Sequence, residues 1–300
     1  MAHSHEHNHS HEITSLNKAF IWGIILNLGF VLAEFGAGFW FNSLGLLSDA
    51  GHNLSDVASL ILAMLAFRLA KVSANKKYTY GYKKSTVLVS LLNAIILIVA
   101  VVFIISESIE KLMNPQPVEG GAMAWVAGIG VFINAFTAWL FIKHKDNDLN
   151  VKGAYLHMAA DALVSVGVVI SGIVIMFTDW YIIDPIVGIV IALIIIYSTW
   201  GLLRDSVRLS LDGVPANIDT DKIGEVISSV PGVKGYHHLH IWAISTTETA
   251  LTVHIVTDDM ARQEEIKANV KHELEHEGIF HATVEFETQG NCCDHESCKS

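Results

Sequence analysis

Two stretches of this chain pair an imidazole with a carboxylate one helical turn apart, in segments that are otherwise apolar. His52 and Asp56 lie in "AGHNLSD", and His157 and Asp161 repeat the spacing in "YLHMAADALVSV". On a helix, positions i and i+4 share a face, so each pair presents a nitrogen donor beside an oxygen donor. An ionisable group at the centre of a bilayer costs at least roughly 2.5 kcal/mol, and such groups face a bundle interior or an aqueous cavity and mark an ion path. Two imidazoles and two carboxylates form a four-coordinate set for Zn²⁺, whose sites are tetrahedral with N and O ligands at about 2.0 to 2.2 Å. A hydrogen bond to a neighbouring helix would account for one such histidine, but it accounts poorly for two pairs at identical spacing. Asp49, three residues before His52, joins the same stripe, although near a helix start it fits a cap or a first-turn acid as well.

The surrounding elements follow from composition. The chain has 300 residues, of which 52% are hydrophobic and 16% charged, far from an ordinary soluble domain. About 20 apolar residues span the hydrocarbon core as a helix, and six segments qualify, at 17–41, 44–70, 85–112, 122–142, 153–178 and 183–203. The polar, histidine-rich start lacks the basic stretch and short apolar run of a cleavable signal, so the first span is expected to stay in the mature protein. The linker after the second span carries Lys71, Lys76, Lys77, Lys83 and Lys84, and the linker after the fourth carries Lys143, Lys145 and Lys152. Short loops rich in lysine stay cytoplasmic, so both termini are expected to face the cytoplasm of a multi-pass protein in the plasma (inner) membrane or an organelle membrane. The second and fifth spans then run in opposite directions, which lets the two H-x3-D pairs meet near the midplane. Midplane sites between inverted halves are a feature of secondary transporters.

Beyond Arg208 the character changes. Residues 212–300 hold 16 acidic against 6 basic side chains, nearly all of the formal net charge of −11. The pattern predicts a helix over Asp219 to Val230, strands over Gly235 to Ile244 and Ala250 to Thr257, a second helix over Arg262 to Glu277 and a third strand over Ala282 to Glu287,. That order fits a small α+β sandwich with its helices on one face of the sheet. The expected domains are a disordered tail at 1–15, a six-helix membrane domain at 16–208, the α+β domain at 209–288 and a cysteine-containing tail at 289–300. Acidity and the absence of finger or helix-turn-helix spacing disfavour nucleic acid as a partner.

Six spans, "AGHNLSD" in the second, "HMAADALVS" in the fifth, "DPI" opening the sixth and "HHLHIWAIS" in the acidic domain resemble the cation diffusion facilitator family, in its zinc-exporting branch. The resemblance runs from about Leu16 to Glu287. It implies a homodimeric metal/proton antiporter that moves Zn²⁺, and also Cd²⁺ or Co²⁺, out of the cytoplasm. It also implies a ferredoxin-like, metallochaperone-like cytoplasmic domain that binds further zinc and helps hold the dimer. His52, Asp56, His157 and Asp161 match the family's transport site. His237, His254 and Glu287 fall where members place ligands of a regulatory zinc. By alternation, His238 and His240 share one face of their strand while His237 shares the other with Leu239 and Ile241, so pattern alone leaves the choice among these histidines open. The linker "KVSANKKYTYGYKK" has no His, Asp, Glu or Cys, and no metal site is expected there.

The tails carry a different signal. "MAHSHEHNHSHE" reads as metal capture by a short histidine-rich tract or as a solvated segment without function. Cys292, Cys293 and Cys298 cluster beside His295; in a reducing compartment metal binding is favoured over a disulfide, and Cys292 and Cys293 with His281 form a further candidate site. Ligand chemistry sets the expected mechanism. His must be neutral and Asp ionised to bind a metal, so zinc entry releases protons and protonation expels zinc. No G-x4-GK[ST] loop accompanies the spans, so a secondary transporter, and not an enzyme, is expected. A bis-histidine haem protein, which the paired aspartates argue against, and a membrane-bound metal sensor are the competing classes.

Overall fold

A computed structural model describes the backbone of residues 7–40, 44–114 and 120–288, with side chains defined for these except 7–17, 37–40, 44–52, 55, 120, 122 and 123. Six long helices come first: α1 (His7–Trp40), α2 (Leu44–Ala70), α3 (Ser85–Met113), α4 (Gly120–Phe141), α5 (Leu149–Thr178) and α6 (Ile183–Ser210). Among the described residues, five of them contain a stretch long and apolar enough to cross a membrane. α2 is as long as its neighbours, at 27 residues, and carries His52, Asn53, Ser55, Asp56 and Ser59 along one part of its length. Asn53, Asp56 and Ser59 have to face other helices rather than lipid, and all three are buried.

The packing does this. α1 lies on α2 and α4, α3 on α6, and α5 meets α2, α3, α4 and α6. Gly167 allows the close approach of α5 to α6, since a Cβ there would come within 2.3 Å of Ile191. Polar groups inside the bundle join helices, as small and polar residues do where lipid supplies no hydrophobic drive: Asn27 Nδ2 donates to Gly23 O at 2.9 Å and to Thr137 Oγ1 at 3.1 Å, and the Ser90 and Ser206 hydroxyls are 2.8 Å apart. Outward, Phe103, Trp125, Phe132 and Tyr197 are exposed, an apolar surface of the kind a bilayer covers.

Three helix ends differ from expectation. α1 starts at His7 rather than after a disordered tail ending at residue 15; no Pro or Gly between His7 and Lys18 interrupts the helix. α5 starts at Leu149 rather than 153, because the Asp148 side chain accepts hydrogen bonds from the Asn150 and Val151 amides and caps the helix,. α6 runs on to Ser210, past Arg204, Asp205 and Arg208, and closes where Asp212 adopts φ 57° and the Gly213 amide donates to Arg208 O at 2.8 Å,.

The C-terminal domain is α7 (Thr220–Ser229), β1 (Gly235–Ala243), β2 (Thr249–Val256), a 3₁₀ turn at Met260–Arg262, α8 (Gln263–His276) and β3 (His281–Glu287). The strand order is β1-β2-β3, antiparallel between the first two and parallel between the last two. Ile223 and Ile227 of α7 and Ile266, Val270 and Leu274 of α8 pack with Leu251, Val253 and Ile255 of β2 into one core. Both helices therefore cover one sheet face and leave the other open.

β1 does not alternate simply. His237 pairs with His254 and His240 with Thr252, so two residues oppose Val253 alone, and His238 takes φ 50° in this bulge,. The extra residue shifts the parity. His237 lies on the open face with His240, and not with Leu239 and Ile241, which pack in or against the core.

The turn between β1 and β2 seats on the helix ends. Thr246 Oγ1 donates to Asp148, Thr246 N donates to Thr86 Oγ1 at 3.1 Å, and Asn150 Nδ2 donates to Thr86 O at 2.9 Å. Beside it, Lys84 Nζ donates to Leu209 O at 2.8 Å and to Ala243 O at 3.0 Å, and pairs with Asp212.

Candidate metal centres

Between α2 and α5, Asp56 Oδ1 lies 2.7 Å from His157 Nε2, and Asp161 Oδ2 lies 3.8 Å from the same nitrogen. One ligand atom from each of the three falls within 4.8 Å of the others. Asp56 is 2% exposed and His157 5%, so this is an N/O donor set held inside the helix bundle. The two halves of the motif are placed alike: Asp56 is twelve residues beyond the first residue of α2, and Asp161 is twelve beyond the first residue of α5. At about 1.5 Å per residue, both lie roughly 18 Å into their helices. A small cavity lined by Ser59, Leu60, Asn93, Gly153, Ala154 and His157 adjoins the cluster. His52 is placed as a position on α2, one turn before Asp56; its side chain, like that of Asp49, is outside the described residues.

A second cluster stands on the open face of the C-terminal sheet. His254 Nδ1 is 2.7 Å from Glu287 Oε1, and His237 Nε2 is 3.3 Å from Glu287 Oε2. One ligand atom from each residue again falls within 4.8 Å of the others. The register explains the convergence: His237 pairs with His254 across β1 and β2, while Val256, two residues along on the same face of β2, pairs with Glu287. Two imidazoles and a carboxylate fit zinc, leaving a fourth position for a further donor. Glu285 also approaches His254, at 3.3 Å, and the rings of His238 and His254 are 5.1 Å apart.

Other predicted residues separate. His281 opens β3, six residues before Glu287, with its ring 5.3 Å from that of Tyr80. The strand carries it roughly 20 Å from Glu287, so it belongs to the far end of the sheet from where the chain leaves toward Cys292 and Cys293. Those cysteines, Cys298, His295 and the first six residues lie outside the described residues.

Two buried acidic groups have weaker sequence signals. Glu34 of α1 is 4% exposed, and its Oε2 accepts from Asn53 Nδ2 at 2.7 Å, next in sequence to His52. The signal for it is a lone acid inside an apolar span. Asp148 is buried where the C-terminal domain meets α5. Burial pushes its carboxyl above the ordinary value of 3.8, against the opposing pull of its bonds to Thr246, Asn150 and Val151,.

A bundle of membrane-spanning helices with a buried carboxylate–imidazole cluster, joined to an α+β domain with a second such cluster, defines a membrane protein built to handle cations. The particular family is fixed by comparison: residues 20–209 match the cation efflux transmembrane domain and residues 215–289 the cation efflux protein cytoplasmic domain, and the chain belongs to the cation efflux family of transporters, which are not enzymes. It is 38% identical over 288 residues to a cadmium, cobalt and zinc/H(+)-K(+) antiporter of Bacillus subtilis, covering 94% of this chain and 93% of the relative. It is 35% identical over 294 residues to the zinc transporter ZitB of Escherichia coli, covering 96% and 93%. Among solved structures, the metal-bound C-terminal domain of the CzcD transporter from Cuprividus metallidurans shares 36% identity, with a TM-score of 0.22, covering 23% of this chain and 99% of that one.

Proposed function

We propose that this protein is a proton-coupled antiporter that exports Zn²⁺, with Cd²⁺ and Co²⁺ as further substrates, through a His₂Asp₂ site made of His52, Asp56, His157 and Asp161. The observation that carries this reading is the convergence of Asp56, His157 and Asp161 from two different membrane helices into one buried cluster. The relatives, a cadmium, cobalt and zinc/H(+)-K(+) antiporter and a zinc transporter, point the same way. With the site open to the cytoplasm, Zn²⁺ displaces protons from imidazole and carboxylate; with the site open to the other side, protons displace Zn²⁺. An inward proton gradient then drives export. Imidazole titrates nearest physiological pH of the side chains, which suits it to exchange a proton for a metal under these gradients.

In this reading both termini are cytoplasmic, His237, His254 and Glu287 hold a regulatory zinc, and two copies of the chain form a homodimer. That zinc, when bound, ties β1, β2 and β3 together through one ion.

The test is zinc flux into proteoliposomes under an imposed proton gradient. Asp56→Ala and Asp161→Ala each remove an anionic ligand that water does not replace in charge, and each is expected to abolish zinc-driven proton movement while leaving the protein folded. Near-normal flux from either variant would refute the ligand assignment.

A further inference from the structure

On α8, the sequence His272-Glu273-Leu274-Glu275-His276 places two histidines at i and i+4. This is the H-E-x-x-H spacing by which two imidazoles on one helix face bind zinc. Ile266, Val270 and Leu274 turn the opposite side of α8 into the core, so His272 and His276 stand on its solvent face, both exposed. Their Nε2 atoms are 3.3 Å apart and their rings are edge-to-face, with centroids 4.7 Å apart.

That separation has a chemical meaning. Two Zn–N bonds of about 2.0 to 2.1 Å meeting at a tetrahedral angle set their nitrogens about 3.3 to 3.4 Å apart. The two rings already stand at that distance. We infer that His272 and His276 form a chelating site for a divalent cation of zinc's ligand preference on the outer face of the C-terminal domain, distinct from the His237–His254–Glu287 cluster. Glu273 and Glu275 each lie three positions from one of the histidines, within side-chain reach on a helix, and supply a carboxylate for a third position, with water for the fourth. Both rings bind through Nε2 once the ring that donates in the pair carries its proton on Nδ1.

The two clusters occupy opposite sides of the domain, since His254 is on the open sheet face and α8 covers the other. In H-E-x-x-H peptidases the motif lines a cleft with its glutamate as general base. Here both histidines stand exposed on the outer side of α8, and the site is assigned metal binding alone. A surface site of this kind fills as free metal rises and empties as it falls, whatever the state of the intramembrane cluster.

Carbethoxylation footprinting of the full chain in detergent, resolved by peptide mass spectrometry, reads each histidine separately. Added Zn²⁺ is expected to slow modification of His272 and His276 together, and Mg²⁺, which prefers oxygen ligands, is expected to leave both unprotected. In His276→Ala, protection of His272 should need on the order of 100-fold more zinc, because the second ligand no longer acts at high effective concentration. His254→Ala should leave the protection of both unchanged. Equal modification with and without zinc in the wild type would overturn the inference, as would undiminished protection of His272 in His276→Ala. Loss of protection at His272 and His276 in His254→Ala would overturn it too, by making them dependent on the sheet cluster.

Discussion

Asp56 and His157 meet at 2.7 Å in a place that water barely reaches, and at that scale each neighbour matters. In a low dielectric, a polar group without its partner is costly while a satisfied network fixes geometry. A separate buried pair lies close by in sequence, where Glu34 accepts from Asn53, the residue after His52. Glu34→Gln keeps an oxygen that accepts from Asn53 Nδ2 and is expected to unfold in detergent at nearly the wild-type temperature. Glu34→Ala removes the acceptor and is expected to cost about 1 to 3 kcal/mol. Equal melting temperatures for the two variants would show that the hydrogen bond to Asn53 does nothing for stability. The two H-x3-D pairs were readable in the sequence because charge in an apolar run is rare and the spacing repeats. Glu34 was not, because one acid in α1 has no repeat to set it apart.

The elements show where one-dimensional pattern stops being sufficient. Apolar length located the spans and period-2 runs located the strands, but the start of α5 depends on Asp148, which sits in a polar, lysine-bearing linker. Its bond to Thr246, nearly a hundred residues away, has no local signature. That cap leads to a pH prediction. With the folded-state pKa of Asp148 raised above 3.8, the folded protein holds more protons than the unfolded one between those two values. Stability from this group is then greatest below the ordinary pKa and is lost as pH rises through the raised one. Asn caps helices as well as Asp does, so Asp148→Asn is expected to flatten this part of the profile, read as unfolding temperature against pH. A profile as steep as that of the wild type would assign the slope to other groups. The β1 bulge is a second case, since alternation alone put His237 on the wrong face. His238 at φ 50° tolerates Gly, whereas a β-branched residue is strained there. His238→Val is expected to destabilise the domain by about 1 to 2 kcal/mol and His238→Gly not at all, measured by thermal unfolding.

For the whole molecule, a change of solvent along the chain organises the fold: residues before Ser210 turn apolar side chains outward, and those after it gather them inward. The abrupt shift in charge and hydropathy made that division legible. The seam was not, because it is built from contacts between residues far apart in sequence: Lys84 donates to Leu209 O and Ala243 O, Thr246 donates to Thr86 and Asp148, and Val87 and Leu209 pack on Ala243. None of the core of the C-terminal domain comes from residues before Val214. A fragment of residues 212–300 therefore carries its own apolar core and is expected to fold cooperatively without the helices. If His237, His254 and Glu287 bind zinc in the folded state alone, zinc at a hundred times its dissociation constant adds about 2.7 kcal/mol. For a domain of this size, that raises the midpoint by roughly 10 to 20 °C. Circular dichroism melts of the fragment, with and without zinc, measure the shift, and His254→Ala should remove most of it. An unfolded fragment would mean that the seam supplies stability the core lacks. A folded fragment whose midpoint ignores zinc would leave the sheet cluster as a hydrogen-bonded group of histidines and glutamates with no part in metal binding.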